Sequence, residues 1–239
     1  MLSSPPIGRV YGRRRGRTLK GKASAIYENT LEALSVSLPE PPAQLDPASL
    51  FPAPPASIWL EIGFGGGEHL AAQAAGHPDI GFIGCEPFIN GVSSLLVLLD
   101  DQDAQNVRVF TEDARLLLQA LPEATLDRAF LLFPDPWPKR RHEGRRFINR
   151  EALDLLARCL ADNAEFRIAT DHAVLQEWMP ARMAEHPEFR LENHATERPA
   201  GWAPTRYEAK ALRQGRRPIY LTYRRKARDG AKSRPQAPA

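Results

Sequence analysis

The chain has 239 residues with 43% hydrophobic side chains, which suits a globular protein able to bury one large α/β core. No apolar run approaches the roughly 18 residues that cross a bilayer, and no apolar segment follows the basic N-terminus. We therefore predict neither a transmembrane helix nor a signal peptide. Cys85 and Cys159 are too few for a disulfide framework, so we expect reduced cysteines and a cytoplasmic location.

The net charge of +3 hides a segregation of charge along the chain. Residues 9–22, 139–150 and 206–228 together hold 22 of the 32 Lys and Arg side chains and only 2 of the 29 acids. Aromatic residues such as Trp137 and Tyr207 lie among these cations, and aromatic rings stack on unpaired RNA bases. This pattern indicates an RNA-binding protein, with charge runs that only solvate the surface as the alternative.

The predicted organisation begins with a basic arm, residues 1–25, which lacks apolar periodicity and is expected to be flexible. Residues 26–56 combine a helix with a connector whose many prolines forbid a long helix. The main domain is predicted over residues 57–226. A disordered tail is predicted over residues 227–239.

Short apolar strands alternate with helices from Ser57 onward. Strands are predicted over residues 58–64, 80–85, 106–110, 126–133, 166–170, 189–192 and 218–223. Helices are predicted over residues 68–75, 92–99, 114–121, 151–160 and 173–184. This alternation predicts an α/β fold with a mostly parallel sheet and helices on both faces. The last two strands have no strong helix between them, so we expect the final strand to be an antiparallel edge.

Ligands bind such sheets outside the carboxyl ends of the strands. A glycine-rich turn and several acids lie at or just beyond those predicted ends: Glu61–Gly67, Glu86, Asp113, Asp135 and Asp171. Because parallel strands end at the same edge of the sheet, these groups are expected to lie near one another. None of the six histidines has metal-ligand spacing with a cysteine, so no metal site is predicted.

The turn Glu61–Gly67 contains Gly63 and Gly65, which allow the backbone to approach a ligand closely. A dinucleotide fingerprint would require a third glycine where the chain has Glu68, and this carboxylate would repel a pyrophosphate at the helix start. The turn therefore suits a zwitterionic ligand without phosphates, such as S-adenosylmethionine. The alternative is a turn needed only for tight packing of strand against helix.

The acids at the next two strand ends could complete a nucleoside pocket. The carboxylate of Glu86 could accept both hydroxyls of a ribose, and Asp113 could approach the adenine edge. Glu86 could instead be a surface acid or a helix cap. Asp113 precedes a predicted helix and is a good N-cap, a role that can coexist with ligand binding.

Asp135 lies between Pro134 and Pro136, directly after an apolar strand and just before Trp137 and a run of cations. The prolines restrict the backbone and remove competing donors. An apolar strand that delivers one acid to a cationic loop indicates a reaction site beside an anionic polymer. A simple Asp-Pro turn is the alternative.

Two later segments have similar alternatives. Asp171 could only cap the helix that follows it. The segment Thr205-Arg-Tyr-Glu208 fits a capping box, in which Thr and Glu satisfy backbone donors at a helix start.

Together, these motifs resemble the bacterial tRNA (guanine-N7-)-methyltransferase family. The matching stretches are Glu61–Gly67, Gly84–Glu86, Asp113–Ala114, Phe133–Trp137 with Lys139 and Arg141–Arg146, Ala169–Asp171, and Thr205–Glu208. The resemblance spans residues 57–223. It implies the Rossmann-like class I methyltransferase fold, a seven-stranded, mostly parallel sheet with an antiparallel last strand and helices on both faces.

The resemblance also implies the chemistry and the partners. The methyl donor would be S-adenosyl-L-methionine, the partner tRNA, and the product 7-methylguanosine at position 46 of the variable loop. A methyltransferase of another RNA base or of protein is the alternative. Neither a membrane nor a protein partner is expected to be needed, and the chain could be a monomer or a homodimer.

The resemblance finally implies roles for individual residues. Asp135 would be the catalytic acid. The cofactor would be bound by Glu61, Gly63, Gly65, Glu86, Asp113 and Asp135. The substrate would be held by Lys139, Asp171, Thr205, Arg206, Tyr207 and Glu208. The RNA backbone would be contacted by Arg140, Arg141, Arg145 and Arg146.

Overall fold

The structure is a computed structural model that describes residues 10–41 and 43–228. The strands are β1 (Ser57–Ile62), β2 (Ile80–Cys85), β3 (Val107–Phe110), β4 (Leu126–Leu132), β5 (Leu160–Thr170), β6 (Phe189–Ala195) and β7 (Ile219–Arg225). The helices are α1 (Lys22–Leu34), α2 (Glu68–Gly76), α3 (Ile89–Gln102), α4 (Ala114–Ala120), α5 (Arg150–Cys159), α6 (Ala173–Ala184) and α7 (Arg206–Arg213). Parts of the predicted arm and tail, residues 1–9 and 229–239, lie outside the described residues.

The seven strands form one sheet in the order β3-β2-β1-β4-β5-β7-β6. The first five strands are parallel, and β7 runs antiparallel to both of its neighbours, β5 and β6. The predicted fold class and its antiparallel last strand are confirmed. The strand order reverses between β1 and β4, which marks the crevice where such sheets bind ligands.

The prediction that the last strand forms the edge of the sheet is wrong, because β7 lies inside it and β6 is the edge. Residues 220–223 of β7 are all buried, which suits a strand with neighbours on both sides. Residues 190–194 of β6 are exposed instead. Charged and polar side chains on an edge strand disfavour unwanted pairing with other chains.

The core consists of two apolar layers, one on each face of the sheet. Alternate side chains of β1 point to opposite faces, so Leu60 packs in the layer with α4 and α5 while Trp59 packs in the layer with α2 and α3. Leu60 is fully buried between Ile83 of β2 and Ala129 of β4. Strands covered on both faces hold their carboxyl ends in a fixed arrangement, on which the site is built.

A helix that the strand and helix pattern did not predict, α7, lies between β6 and β7. It is only eight residues long and buries only Glu208 and Ala211, so its apolar periodicity is weak. The Thr205 hydroxyl caps it by accepting a hydrogen bond from the Glu208 N–H at 3.0 Å. The Thr205 half of the capping-box alternative therefore marks the start of a real helix, whereas the Glu208 carboxylate binds Tyr220 and Arg198 instead.

Both cysteines lie in the core of the protein. Cys85 and Cys159 are buried, free thiols. Burial raises the pKa of the Cys159 thiol to about 11, so it stays protonated and unreactive at neutral pH.

Across residues 10–41 and 43–228, every helix is too short or too polar to cross a membrane.

Candidate active site

Two adjoining cavities, of about 160 and 360 Å³, open at the carboxyl ends of β1, β2 and β4. Both are lined by Tyr11, Ile62, Gly63, Pro87, Trp137, Arg145 and Phe147. The smaller one is also lined by Asp113 and the larger one by Glu86, Asp135 and Tyr207. The structure thus brings together side chains that the sequence placed at four separate points of the chain.

The glycines of the turn after β1 serve different purposes. Gly63 has φ +70°, and a Cβ there would meet no atom within 4 Å, so this position opens onto the cavity. Gly65 has φ +58°, and a Cβ there would lie only 2.6 Å from Cε2 of Tyr207. A side chain at Gly63 would fill the space left for a ligand, whereas one at Gly65 would push away the tyrosine.

The Glu86 carboxylate lies at the end of β2 and faces the larger cavity. One oxygen accepts the Gly65 N–H at 2.8 Å and the other accepts the Phe88 N–H at 2.9 Å. Burial raises the pKa of this carboxyl, and the nearby charges of Asp135 and Glu61 raise it further. Each oxygen keeps a lone pair for another donor, so Glu86 can hold a hydroxyl-bearing ligand.

Asp113 caps α4 and lines the smaller cavity at the same time. Its Oδ1 accepts the Arg115 N–H at 3.0 Å, and its Oδ2 accepts from the Arg115 guanidinium at 2.5 and 3.0 Å. Both side chains are almost fully buried. The cap is therefore real and coexists with a position at the cavity. Arg115, which fixes the carboxylate, was missed because its pairing depends on the local helix geometry.

Glu61 takes a different place from the other predicted cofactor residues. It is 3% exposed, and its Oε2 lies 2.7 Å from Nδ1 of the buried His69. Glu61 does not line either of the two cavities. It lies near enough to Glu86 to raise the pKa of that carboxyl. Direct contact between Glu61 and a cofactor stays a prediction.

Asp135 follows β4 in a loop whose backbone is strained. Phe133 and Trp137, on either side of it, have φ of +51° and +40°, values that bulky side chains rarely adopt. Such strain persists where surrounding contacts enforce it and is common at functional sites. Asp135 is reachable by solvent through the cavity, but the protein around it partly desolvates its carboxyl and raises the pKa.

Arg146 supplies the contacts that hold this loop. It donates to the carbonyl oxygens of Pro136 at 3.3 Å and Trp137 at 3.1 Å, and its guanidinium lies 4.4 Å from the ring centre of Trp178. Only 4% of the residue is exposed. In this placement the guanidinium is covered, binds two carbonyls and lines the smaller cavity. Direct contact between Arg146 and RNA stays a prediction.

The other cations of the loop are placed differently. Lys139, Arg140 and Arg141 are exposed at the start of a short 3-10 helix, residues 140–145. The Arg145 guanidinium lies over the rings of Tyr11 and Trp137, at 4.8 and 5.0 Å from their centres. The three exposed cations follow closely in the chain after Trp137, which lines the cavity, and Arg145 forms part of the cavity wall.

The predicted substrate residues divide into two groups. Tyr207 is 43% exposed and lines the larger cavity, where burial of its hydroxyl raises the pKa. Asp171 instead accepts from Arg216 at 2.7 Å, and α6 is capped by His172 rather than by Asp171. Glu208 is buried.

The partners of Glu208 explain its burial. Its Oε1 accepts from the Tyr220 hydroxyl at 2.7 Å and from Nε of Arg198 at 3.0 Å. Glu208 therefore ties α7 to β7, and it is outside the lining of both cavities. The direct contacts of Asp171 and Glu208 with a substrate stay predictions.

The described part of the basic arm packs against the site, which the sequence did not indicate. Tyr11, Gly12 and Arg13 line the larger cavity. The Arg14 guanidinium pairs with Glu112 at 2.7 Å, and the Arg14 carbonyl accepts the N–H of Ile89 at 3.0 Å. These contacts join positions far apart in the chain, so no local sequence signal could have revealed them.

Comparisons with known proteins agree with this geometry. A family model described as a putative methyltransferase matches residues 55–221. Among solved structures, the fold is similar to that of the 16S rRNA methyltransferase KamB, with a TM-score of 0.54 and 17% identity over 72% of this chain and 89% of that chain. At that identity the likeness shows the fold alone.

Two curated relatives are far more similar in sequence. The tRNA (guanine-N(7)-)-methyltransferase of Paramagnetospirillum magneticum is 49% identical, with 92% of this chain and 94% of that protein covered. The enzyme of the same name from Rhodospirillum rubrum is 48% identical, with 92% and 89% covered. The chain belongs to the tRNA (guanine-N(7)-)-methyltransferase family.

Proposed function

We propose that this protein transfers a methyl group from S-adenosyl-L-methionine to N7 of a guanine in the variable loop of tRNA, forming 7-methylguanosine. The observation that carries this proposal is the position of Asp135 in the larger cavity, between the glycine turn and an exposed basic loop. The names of the curated relatives support the same reaction.

The residues around the cavities fit S-adenosyl-L-methionine, which supplies an electrophilic methyl group on a positive sulfur when bound. Gly63 leaves open space at the end of β1, and Glu86 has acceptor capacity left for ribose hydroxyls. Ile62 provides an apolar wall, and Asp113 lies at the far end, in the smaller cavity. The carboxylates of Glu86 and Asp135 complement a cationic ligand.

Asp135 would act by electrostatics rather than by removing a proton. Guanine N7 has a lone pair and no hydrogen, so it can attack a methyl carbon without a general base. As the methyl group moves, positive charge develops on the purine ring, and a fixed carboxylate stabilises that charge more than it stabilises the neutral base. Partial desolvation of Asp135 strengthens the effect, because water screens the charge less.

Tyr207 and Trp137 give the larger cavity aromatic surfaces on which a base can stack. A guanine inside folded tRNA must leave its stack to reach an enclosed methyl group. Base stacking on an aromatic side chain contributes about 1–3 kcal/mol. These rings therefore support a role in holding the extruded guanine, with N7 directed toward the methyl donor.

Lys139, Arg140 and Arg141 would bind the tRNA backbone beside that cavity. They are exposed, cationic and consecutive, and they lie in the chain between Trp137 and Arg145, which line the cavity. Phosphate contacts of this kind orient the nucleic acid but carry no sequence information. Selection of one guanine would then depend on the fold of the tRNA and on the cavity itself.

The direct test is methylation of an unmodified tRNA transcript by the purified protein with labelled S-adenosyl-L-methionine, followed by mass spectrometry of the nucleosides. We expect 7-methylguanosine in the variable loop. A different methylated nucleoside would favour the alternative of another RNA base. Label on protein instead of tRNA would favour a protein methyltransferase and contradict the proposal.

A further inference from the structure

The first turn of α7 packs directly onto the glycine turn after β1. The Tyr207 ring occupies the place that a Cβ on Gly65 would need, and the Arg206 guanidinium occupies the place that a Cβ on Gly66 would need. Two successive glycines thus receive two successive side chains of the helix. The absence of side chains at Gly65 and Gly66 allows this contact.

Glu68 adds an ion pair to the same contact. Its carboxylate, in the first turn of α2, accepts a hydrogen bond from Nε of Arg206. Glu68 is also the residue that argued against a dinucleotide, and it is not part of the lining of either cavity. Its observed contact runs to α7 and not toward the space proposed for the cofactor.

The contact bears on the site because Arg206 and Tyr207 are neighbours at the start of α7. The residues on either side of Tyr207 are held by the Thr205 cap and by the hydrogen bond from Tyr220 to the buried Glu208. Without Arg206 held on the glycine turn, the exposed end of the first turn would have more freedom. The Tyr207 ring would then spend less time at the cavity.

We propose that Glu68 is a positioning residue for the substrate base: through Arg206 it holds the Tyr207 ring at the cavity, where the guanine stacks. This inference rests on the proposed function. Glu68 then acts on the binding of tRNA and leaves the binding of S-adenosyl-L-methionine unchanged. An ion pair that served only the stability of the fold would affect neither ligand.

The first test replaces Glu68 with Gln, which keeps the size of the side chain and removes its charge. We expect the KM for tRNA to rise about threefold to fivefold, as for a partly exposed ion pair, with the dissociation constant for S-adenosyl-L-methionine unchanged. The charge-reversed double variant Glu68→Arg/Arg206→Glu should recover part of the loss. Glu185→Gln is the matched control, because it breaks an exposed pair with Arg182 at the far end of α6.

The second test displaces Arg206 without changing any charge. Gly66 has no positive φ, so alanine fits its backbone, but the added Cβ would collide with the Arg206 guanidinium, the movable end of a flexible side chain. Gly66→Ala should raise the KM for tRNA by a similar factor, and the double variant with Glu68→Gln should show no further loss. Gly76→Ala is the control, because a Cβ there meets open space.

The outcomes separate this inference from the function on which it rests. An unchanged KM for tRNA in both Glu68→Gln and Gly66→Ala, with an active wild-type enzyme, would overturn the role of Glu68. Weaker binding of S-adenosyl-L-methionine in Glu68→Gln would assign Glu68 to the cofactor site and would also overturn its role in positioning the substrate base. A wild-type enzyme that forms no 7-methylguanosine would remove the proposed function itself.

Discussion

The basic loop at residues 139–141 and the basic segment at residues 224–228 look alike in the sequence but differ in the structure. In the loop, all three cations are exposed, and the described residues place no carboxylate within ion-pair distance of them. In the later segment, Arg225 pairs with Asp162 at 2.8 Å and with Glu188 at 3.1 Å, and it is 5% exposed. The charges of the loop are exposed to solvent, whereas the charge of Arg225 holds parts of the fold together.

This difference shows what charge patterning can and cannot find. Counting cations identified three basic segments, but the count does not show which cations are already neutralised. The partners of Arg225 lie elsewhere in the chain, with Asp162 separated from it by 63 positions. Only the folded structure distinguishes an available cation from one that is already paired.

Arg225→Ala should produce the largest effect on stability. It removes a buried guanidinium that binds Asp162, Glu188 and the Ala157 carbonyl, and it leaves that carbonyl without its donor while Asp162 keeps Arg228 as a partner. The loss costs about 2–3 kcal/mol in the free energy of unfolding. Urea denaturation measures this loss. The tRNA affinity of the protein that remains folded should not change, and a selective loss of affinity without loss of stability would contradict the comparison.

Arg146→Ala should cost about 1–3 kcal/mol, because it leaves the carbonyls of Pro136 and Trp137 without their donor. Methyl transfer should also fall, since the loop that carries Asp135 loses its support. Arg146→Lys is the control, because lysine keeps the positive charge but lacks the planar guanidinium whose two nitrogens donate to the two carbonyls. If the lysine variant behaves as wild type, then charge alone matters, and the assigned role of the guanidinium is wrong.

Substituting Lys139, Arg140 and Arg141 together by Ala should weaken tRNA binding by about tenfold or more at low salt, with the melting temperature unchanged. Each lost phosphate contact should flatten the dependence of log K on log salt by about 0.7 to 0.9. Binding measured across a salt series tests this. An unchanged slope would mean that these cations only solvate the surface.

Asp135→Asn should have the smallest effect on stability among these variants, a slight gain at neutral pH. Burial raises the pKa of this carboxyl above its ordinary value of 3.8, so the folded protein binds the proton more tightly than the unfolded chain does. Ionised Asp135 therefore costs stability above the folded pKa, and the cost vanishes as the pH falls below the unfolded value. Melting curves should show a small gain at pH 7 that disappears in acid. A variant less stable than wild type at pH 7 would contradict this assignment.

The sequence predicted the parts of the site that depend on strand ends. Glu86, Asp113 and Asp135 each follow an apolar strand, and parallel strands deliver such residues to one edge of the sheet. The same reasoning placed the edge strand wrongly, because β6 and β7 pair out of chain order. It also did not separate Arg146 from Arg141, since burial of a cation depends on the packing of a distant ring, Trp178.

The contacts of the arm and of α7 could not be read from local patterns either. Tyr11 lines the cavity but belongs to the arm, whose sequence has no apolar periodicity. Arg206 and Glu68, which form an ion pair, lie 138 positions apart in the chain. The glycine-rich turn after β1 was a partial signal for the contact with α7, because such a turn leaves room for either a ligand or a neighbouring side chain. The sequence alone does not say which of the two takes the room.

The central claim is that the Asp135 carboxylate stabilises the charge that forms on guanine during methyl transfer. Single-turnover rates of wild type, Asp135→Asn and Asp135→Ala, at saturating tRNA and S-adenosyl-L-methionine, test it most directly. We expect both variants to lose about 10²–10³-fold in rate, while their affinity for tRNA changes little. Near-normal rates in both variants would contradict it.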